Sequence, residues 1–463
     1  VPEENRGLRM RRLTRKAARR LPHFRHPAQF VVAGFASAIT VGTVLLSLPV
    51  AREGPDSATF LEALFTATSG VCVTGLIVVD TPEYWSTFGE IVILGLIQVG
   101  GFGLMTMASL LVLLVSRRIG LRSRLTAAAE TKSLGLGDVR RVVVGVAKVS
   151  LLFEAATAIA LTARLMIGYD ESFGRAGYLG VFHAISAFNN AGFSLYSDSL
   201  MRFSGDPWVL LPIAVAVICG GLGFPVLLEL RREFRQPRRW SLHTKITVSA
   251  TILLLVGGSA FVTFSEWQND ETLAPMNLPT KLMNGFFHAV MPRTAGFNSL
   301  DVGEMTEGTW LGTDVLMFIG GGSASTAGGI KVTTFFLLFF VIYAEIRGQR
   351  SVNVFDRQVG PRVQRQALTV ALLSVAAVVV PTIIIAEATP DISTDRAMFE
   401  VVSAFSTVGL STGITAELAS AEQAMLVLLM FVGRLGPITF ASALALRHEE
   451  RLYDLPEGRP IIG

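Results

Sequence analysis

Four short stretches of this 463-residue chain end on a glycine in a way that suits coordination of a bare cation. They read Cys72-Val73-Thr74-Gly75-Leu76, Asn189-Asn190-Ala191-Gly192-Phe193, Arg293-Thr294-Ala295-Gly296-Phe297 and Ser406-Thr407-Val408-Gly409-Leu410. A large apolar residue follows each glycine, and a Phe stands ten residues ahead of it: Phe65, Phe182, Phe286 and Phe399. A dehydrated cation needs its water oxygens replaced, and a ring of backbone carbonyls does this without burying fixed charge. Successive carbonyls turn to one side only where the backbone visits conformations that Gly tolerates. The candidate ion-binding residues are therefore Gly75, Gly192, Gly296 and Gly409, each with the three residues ahead of it. No loop carries Asp or Glu, which argues against a carboxylate filter for divalent cations; a carbonyl filter suits a large monovalent ion, usually potassium. A helix ending at each loop within a bilayer adds the negative end of its dipole, which favours cations.

Two departures from this pattern are candidates for a gate. Val99-Gly100-Gly101-Phe102-Gly103 matches Cys219-Gly220-Gly221-Leu222-Gly223, and Val432-Gly433-Arg434-Leu435-Gly436 matches both except that Arg434 replaces the second glycine. An Arg roughly 20 Å along an apolar helix is costly unless it faces water or a partner. It is expected to project below the filter, where its charge opposes cation passage. The third copy reads Ile319-Gly320-Gly321-Gly322-Ser323 and continues Ala324-Ser325-Thr326-Ala327-Gly328-Gly329-Ile330-Lys331. So much Gly, Ser and Thr cannot form a stable helix interior. Such backbone inside a span must line a cavity or lie buried in protein. The segment is expected to form a flexible intramembrane loop under the filter, with Lys331 as an anchor.

Other chemistries lack their residues. The six histidines show no metal-ligand spacing, and there is neither a phosphate-binding G-x-x-x-x-G-K-[ST] loop nor a G-x-S-x-G elbow. The chain is therefore not expected to be an enzyme. Cys72 and Cys219 make no disulfide framework.

The elements that must hold these loops are membrane helices. Hydrophobic residues make up 51% and charged residues 16% of the chain, with mean hydropathy +0.52; soluble domains carry about 25% charged residues. Apolar segments near 28–50, 85–116, 141–168, 207–230, 242–265, 311–346, 366–386 and 421–446 give eight candidate spans, and each glycine loop follows a shorter apolar run between two of them. The expected fold is all-α and polytopic: eight transmembrane helices as four helix–pore loop–helix repeats in pseudo-fourfold array around one pore. The repeats are 28–118, 141–236, 241–348 and 364–448, flanked by a basic arm at 1–27 and a tail at 449–463. Of 40 Lys and Arg, 31 fall in 6–25, 117–148, 231–245, 347–365 and 447–459, which places both termini and these loops in the cytoplasm. The arm leads into its apolar run without a small-residue cleavage site, so it reads as cytoplasmic, not as a removable signal. A nucleic-acid-binding role for the arm is disfavoured because the basic clusters recur at span spacing. Every repeat has two spans and the same orientation, which suits a pore better than an inverted-repeat carrier.

These motifs, with Arg293-Thr294-Ala295-Gly296-Phe297-Asn298 and Gly433-Arg434-Leu435-Gly436-Pro437 among them, resemble the Trk/Ktr/HKT superfamily of potassium transporters from about residue 28 to the end. Without an extra helix pair ahead of the first repeat, the chain is most similar to the Ktr-type membrane subunit. The resemblance implies potassium uptake across a bacterial plasma membrane, stimulated by sodium, with no covalently bound cofactor. It also implies a homodimer on a cytosolic KtrA-type ring that binds ATP, ADP or NAD and controls the gate. No filter glycine is replaced by Ser, the change associated with sodium preference in plant relatives. The alternative within the superfamily is a weakly selective sodium/potassium channel or symporter.

Overall fold

The computed structural model describes residues 27–54, 56–117 and 136–436. The expectations for the N-terminal arm, for the basic loop over 118–135 and for everything past residue 436 lie outside the described residues.

Four units follow one another. The first comprises α1 (Pro27–Leu46), the short helix α2 (Phe60–Cys72) and α3 (Thr87–Arg117). The second comprises α4 (Leu136–Tyr169), α5 (Phe173–Phe188), then α6 (Pro207–Leu222) and α7 (Phe224–Glu233). The third has α8 (Leu242–Ser265), α9 (Leu278–Val290), α10 (Glu307–Ile319) and α11 (Val332–Ile346). A small hairpin, β1 (Asn353–Val354) with β2 (Arg357–Gln358), leads to the fourth: α12 (Pro361–Ala388), α13 (Thr394–Ser406) and α14 (Ser420–Leu435).

The short helices start where polar caps dictate. Thr59, Ser172, Asn277 and Ser393 accept the backbone N–H of Glu62, Arg175, Thr280 and Arg396, a bond typically worth about 1 kcal/mol. In units one, two and four each short helix packs against both long helices of its unit, and α9 packs on α8. Contacts between units form a closed cycle: α3 against α5, α6 against α9, α10 against α13, and α14 against α2. The residues buried along these seams form one continuous apolar core containing Phe65, Phe182, Phe287, Phe399 and Phe405.

Two expectations need correction. Phe286 is not the counterpart of Phe65, Phe182 and Phe399: it is half-buried, whereas Phe287 is buried like the other three. The third loop is one residue shorter, because the Ala295 N–H reaches Met291 O at 2.9 Å where Thr74, Ala191 and Val408 reach Ser69, Ser186 and Ser403. Secondly, the span expected at 207–230 is broken, with α6 and α7 meeting at 100°. The hinge is Gly223, at φ +89°. α10 and α11 lie on either side of 320–331, the segment whose sequence was expected not to be helical. Among the described residues, three helices are each long and apolar enough to cross a membrane, or four with the bent pair, and shorter apolar helices lie at Val31–Leu46, Phe60–Cys72, Thr87–Gly103 and Val332–Ile346.

Candidate functional site

Each of the four glycines has positive φ: +90° at Gly75, +71° at Gly192, +73° at Gly296 and +94° at Gly409. Two residues earlier the chain is left-handed again, at Val73, Asn190, Thr294 and Thr407, with φ of 55°, 60°, 75° and 49°. Three of those four are β-branched, for which this conformation is a genuine outlier. Strain of this kind persists only where the surroundings enforce it, and it collects at functional sites. The sequence reading placed the whole conformational demand on the glycines and missed this second position.

The loops meet in a ring. A Cβ on Gly75 would lie 2.3 Å from Ala191 O, one on Gly192 2.5 Å from Ala295 O, one on Gly296 2.4 Å from Val408 O, and one on Gly409 2.1 Å from Thr74 O. Each glycine thus abuts the backbone ahead of the next glycine, and the fourth closes on the first. All four line the floor of a single open vestibule of about 490 Å³, which Asp80, Asp198 and Asp301 also line.

Serines six residues before the glycine brace the turns. Ser69 Oγ accepts the Gly75 N–H at 3.0 Å and donates to Leu76 O at 2.7 Å. Ser186 Oγ donates to Phe193 O at 2.8 Å, and Ser403 Oγ accepts the Gly409 N–H at 3.1 Å. Their common offset in three loops is visible in the sequence and could have identified them.

The remaining loop residues divide by where their side chains go. Cys72 and Ser406 are the last residues of α2 and α13. Asn189 ends α5 and turns its amide away from the ring, towards Gln98 and Glu154. Arg293 points outward to α8, donating to Thr251 O at 3.3 Å and Thr251 Oγ1 at 3.1 Å, while its own carbonyl accepts from Asn190 Nδ2 at 3.3 Å. The hydroxyls of Thr74, Thr294 and Thr407 are buried without a protein hydrogen-bond partner.

The 320–331 segment crosses beneath this ring in an ordered path. Gly322 N donates to Gly221 O at 2.8 Å, and Val332 N to Gly321 O at 3.0 Å. Ser323 Oγ pairs with Thr333 Oγ1 at 3.0 Å, and Ser325 Oγ donates to Gly322 O at 2.6 Å. Thr326 Oγ1 donates to Asn190 Oδ1 at 2.9 Å, under the second loop. Gly328 lies under the fourth: a Cβ there would sit 2.0 Å from Thr407 Oγ1. Its neighbour Gly329 has φ +63° and faces Ser406, while Gly320, at φ +59°, closes α10. Lys331 folds back to the carbonyls of Ala327 and Gly328. Arg434 is 2% exposed; its guanidinium donates to Thr326 O and, at 3.4 Å, to Gly100 O. One side chain of the fourth unit therefore holds the crossing segment to the first.

This ring and crossing segment stand on a chain that belongs to the TrkH family of cation transport proteins, whose pattern matches residues 10–453. It is 41% identical over 443 residues to the Ktr system potassium uptake protein B of Bacillus subtilis (strain 168), covering 94% of this chain and 97% of that one. It is 37% identical over 438 residues to the protein of the same description from Vibrio alginolyticus, covering 94% of each. The potassium/sodium uptake protein NtpJ of Enterococcus hirae is 34% identical over 444 residues, covering 94% of this chain and 97% of that one. The fold is similar to the crystal structure of the potassium transporter TrkH from Vibrio parahaemolyticus, with a TM-score of 0.69 over 90% of this chain and 85% of that one at 18% identity.

Proposed function

We propose that the chain takes up potassium through a pseudo-fourfold pore whose selectivity filter is the glycine ring. The observation that carries this reading is the closed cycle in which Gly75, Gly192, Gly296 and Gly409 each abut the next loop's backbone, with left-handed residues at two matching positions per loop. Alternating hand along a short segment turns neighbouring carbonyls the same way. Four such segments give stacked rings of oxygens that can replace a hydration shell. The short helices, capped at their starts and ending at the ring, aim their negative ends at the ion.

The 320–331 segment is the gate and Arg434 is its latch. Passage beneath the filter requires the segment to leave Asn190 and Thr407, and the Arg434 bonds oppose that movement. The basic loops are the cytoplasmic face, on which a nucleotide-binding KtrA-type ring controls the gate and a second protomer completes a homodimer. Two of these loops are already tied together, since Lys245 Nζ meets Asp356 Oδ2 of the β-hairpin at 3.1 Å.

A weakly selective sodium/potassium pathway is the second reading, favoured by the description of the Enterococcus hirae relative. Flux of potassium, rubidium and sodium into liposomes holding the purified protein, alone and with a regulatory ring, separates the two. Potassium and rubidium flux well above sodium supports the first reading. Equal sodium flux supports the second, and no flux with the ring present removes both.

A further inference from the structure

Glu154 is buried in the middle of α4, 5% exposed, and makes no salt bridge among the described residues. An ionisable side chain at such a depth is costly, and packing alone would be served better by an apolar residue. Its bonding partners are two side-chain amides. Gln98 Nε2, from α3 of the first unit, lies 3.2 Å from Oε1 and 3.4 Å from Oε2. Asn189 Nδ2 lies 3.3 Å from Oε1 and also donates to Gln98 Oε1 at 2.8 Å and Ile185 O at 3.0 Å.

Both Glu154 oxygens accept in this arrangement and neither donates, so Glu154 sets the direction of the whole network. Gln98 must turn its NH2 to Glu154, which turns its oxygen to Asn189 and fixes the Asn189 amide in turn. Asn189 is the residue on which α5 ends, and its Oδ1 is wedged against Gly101, where a Cβ would lie 2.0 Å away. Next in the chain is the left-handed Asn190, which bonds Arg293 O of the third loop and Thr326 of the crossing segment. Displacing Asn189 would therefore reach three parts of the ion path at once. The third loop is pinned in a comparable way, since Arg293, also three residues ahead of its glycine, reaches Thr251 on its own outer helix.

We propose that Glu154 is a positioning residue for ion selection, acting through Gln98 and Asn189 to hold the second glycine loop in register with its neighbours. The inference rests on the reading of that loop as part of a selectivity filter. Glu154 does not touch the ion; it sets the donor–acceptor polarity that fixes the loop.

The test is the potassium-to-sodium flux ratio of the full chain in liposomes, measured for wild type, E154Q and the exchanged double variant E154Q/Q98E. E154Q keeps an acceptor at the Oε1 position but sets an NH2 at the Oε2 position, where Gln98 Nε2 already donates. In the double variant the carboxylate at 98 accepts from both Asn189 and the new amide, and the polarity is restored. The expected result is a fall of about fivefold or more in the ratio for E154Q, with recovery in the double variant and equal amounts of monodisperse protein. An unchanged ratio in E154Q, or a double variant no better than E154Q, overturns the proposal. Should E154Q not assemble, the double variant decides: assembly with a wild-type ratio supports the proposal, and loss of either overturns it. A wild-type protein that does not select potassium would instead defeat the filter reading itself.

Discussion

One methyl group separates each ring glycine from alanine, and the ring geometry leaves no room for it. At Gly192 the added Cβ would lie 2.5 Å from Ala295 O on a backbone held at φ +71°. Strain of about 1–3 kcal/mol per such residue corresponds to an effect of roughly fivefold to a hundredfold on an equilibrium. Gly192→Ala is expected to cut rubidium uptake by about tenfold or more, while Gly177→Ala on α5, where a Cβ meets nothing within 4 Å, leaves it near wild type. Arg434→Ala removes the bonds to Thr326 O and Gly100 O, so uptake measured without a regulatory ring is expected to rise severalfold; an unchanged rate would end the latch assignment. The glycines were legible in the sequence because they recur at one offset in four copies, and Arg434 because it breaks a repeated pattern. The left-handed backbone at Val73, Thr294 and Thr407 was not, because β-branched residues are ordinarily the last choice for it, whereas Asn190 is of a type that adopts it more readily. Only closure of the ring reveals why they adopt it. Glu154 was hidden for a different reason: its partners Gln98 and Asn189 lie on other elements, and nothing near it in the chain announces them.

Among the elements, the capped short helices follow from their own sequences, whereas the breaks depend on what comes after a shared motif. Gly103, Gly223 and Gly436 end the same five-residue pattern, but α3 runs straight through Gly103 while helices stop at Gly223 and Gly436. The difference is Pro225, whose missing N–H and ring do not let a helix continue from Gly221 through it, and Pro437, directly after Gly436, which pushes its neighbour away from helical backbone. Copy one has Leu104 and Met105 there and stays helical. The register slip in the third copy was masked by the Phe286-Phe287 doublet. The Phe-His pairs Phe182-His183 and Phe287-His288 give the correct alignment, and both histidines bond within the protein, to Ser194 and Thr313. Past the end of α8, Glu266 ties the third unit's connection together by accepting from Thr272 Oγ1 at 2.7 Å, Thr306 N at 3.0 Å and Asn269 Nδ2 at 2.6 Å. Burial pushes its carboxyl up, but the donors Thr309, Thr272 and Thr306 outweigh burial and hold it below the ordinary value. A folded value below the unfolded one contributes stability that is complete above the ordinary carboxylate range and lost as pH falls through the depressed value. Thermal unfolding in detergent should therefore show the melting temperature of wild type falling across that acid window, and that of E266Q starting lower and changing less. A parallel decline in both proteins would contradict the assignment.

At the scale of the whole molecule, the repeated loops define a cycle that their order in the chain only implies. Each inner helix packs on the short helix of the following unit, and α14 returns to α2, so unit order along the chain becomes order around the ring. Composition indicated a membrane protein because 16% charged residues cannot cover a water-soluble surface. A simple count of long apolar helices could not give the architecture, since the inner helices of units two and three are interrupted beneath the glycine ring. Only protein-lined or water-lined space tolerates such interruptions, so the places where the span pattern fails are also the places where control of the ion path is proposed. The central claim is that the ring of four glycine loops selects potassium. Its most direct test is the reversal potential of wild-type protein in a planar bilayer, between equal concentrations of potassium on one side and sodium on the other. A potential displaced strongly in the direction that stops potassium flow is the predicted result, and a reversal potential of zero would contradict the account.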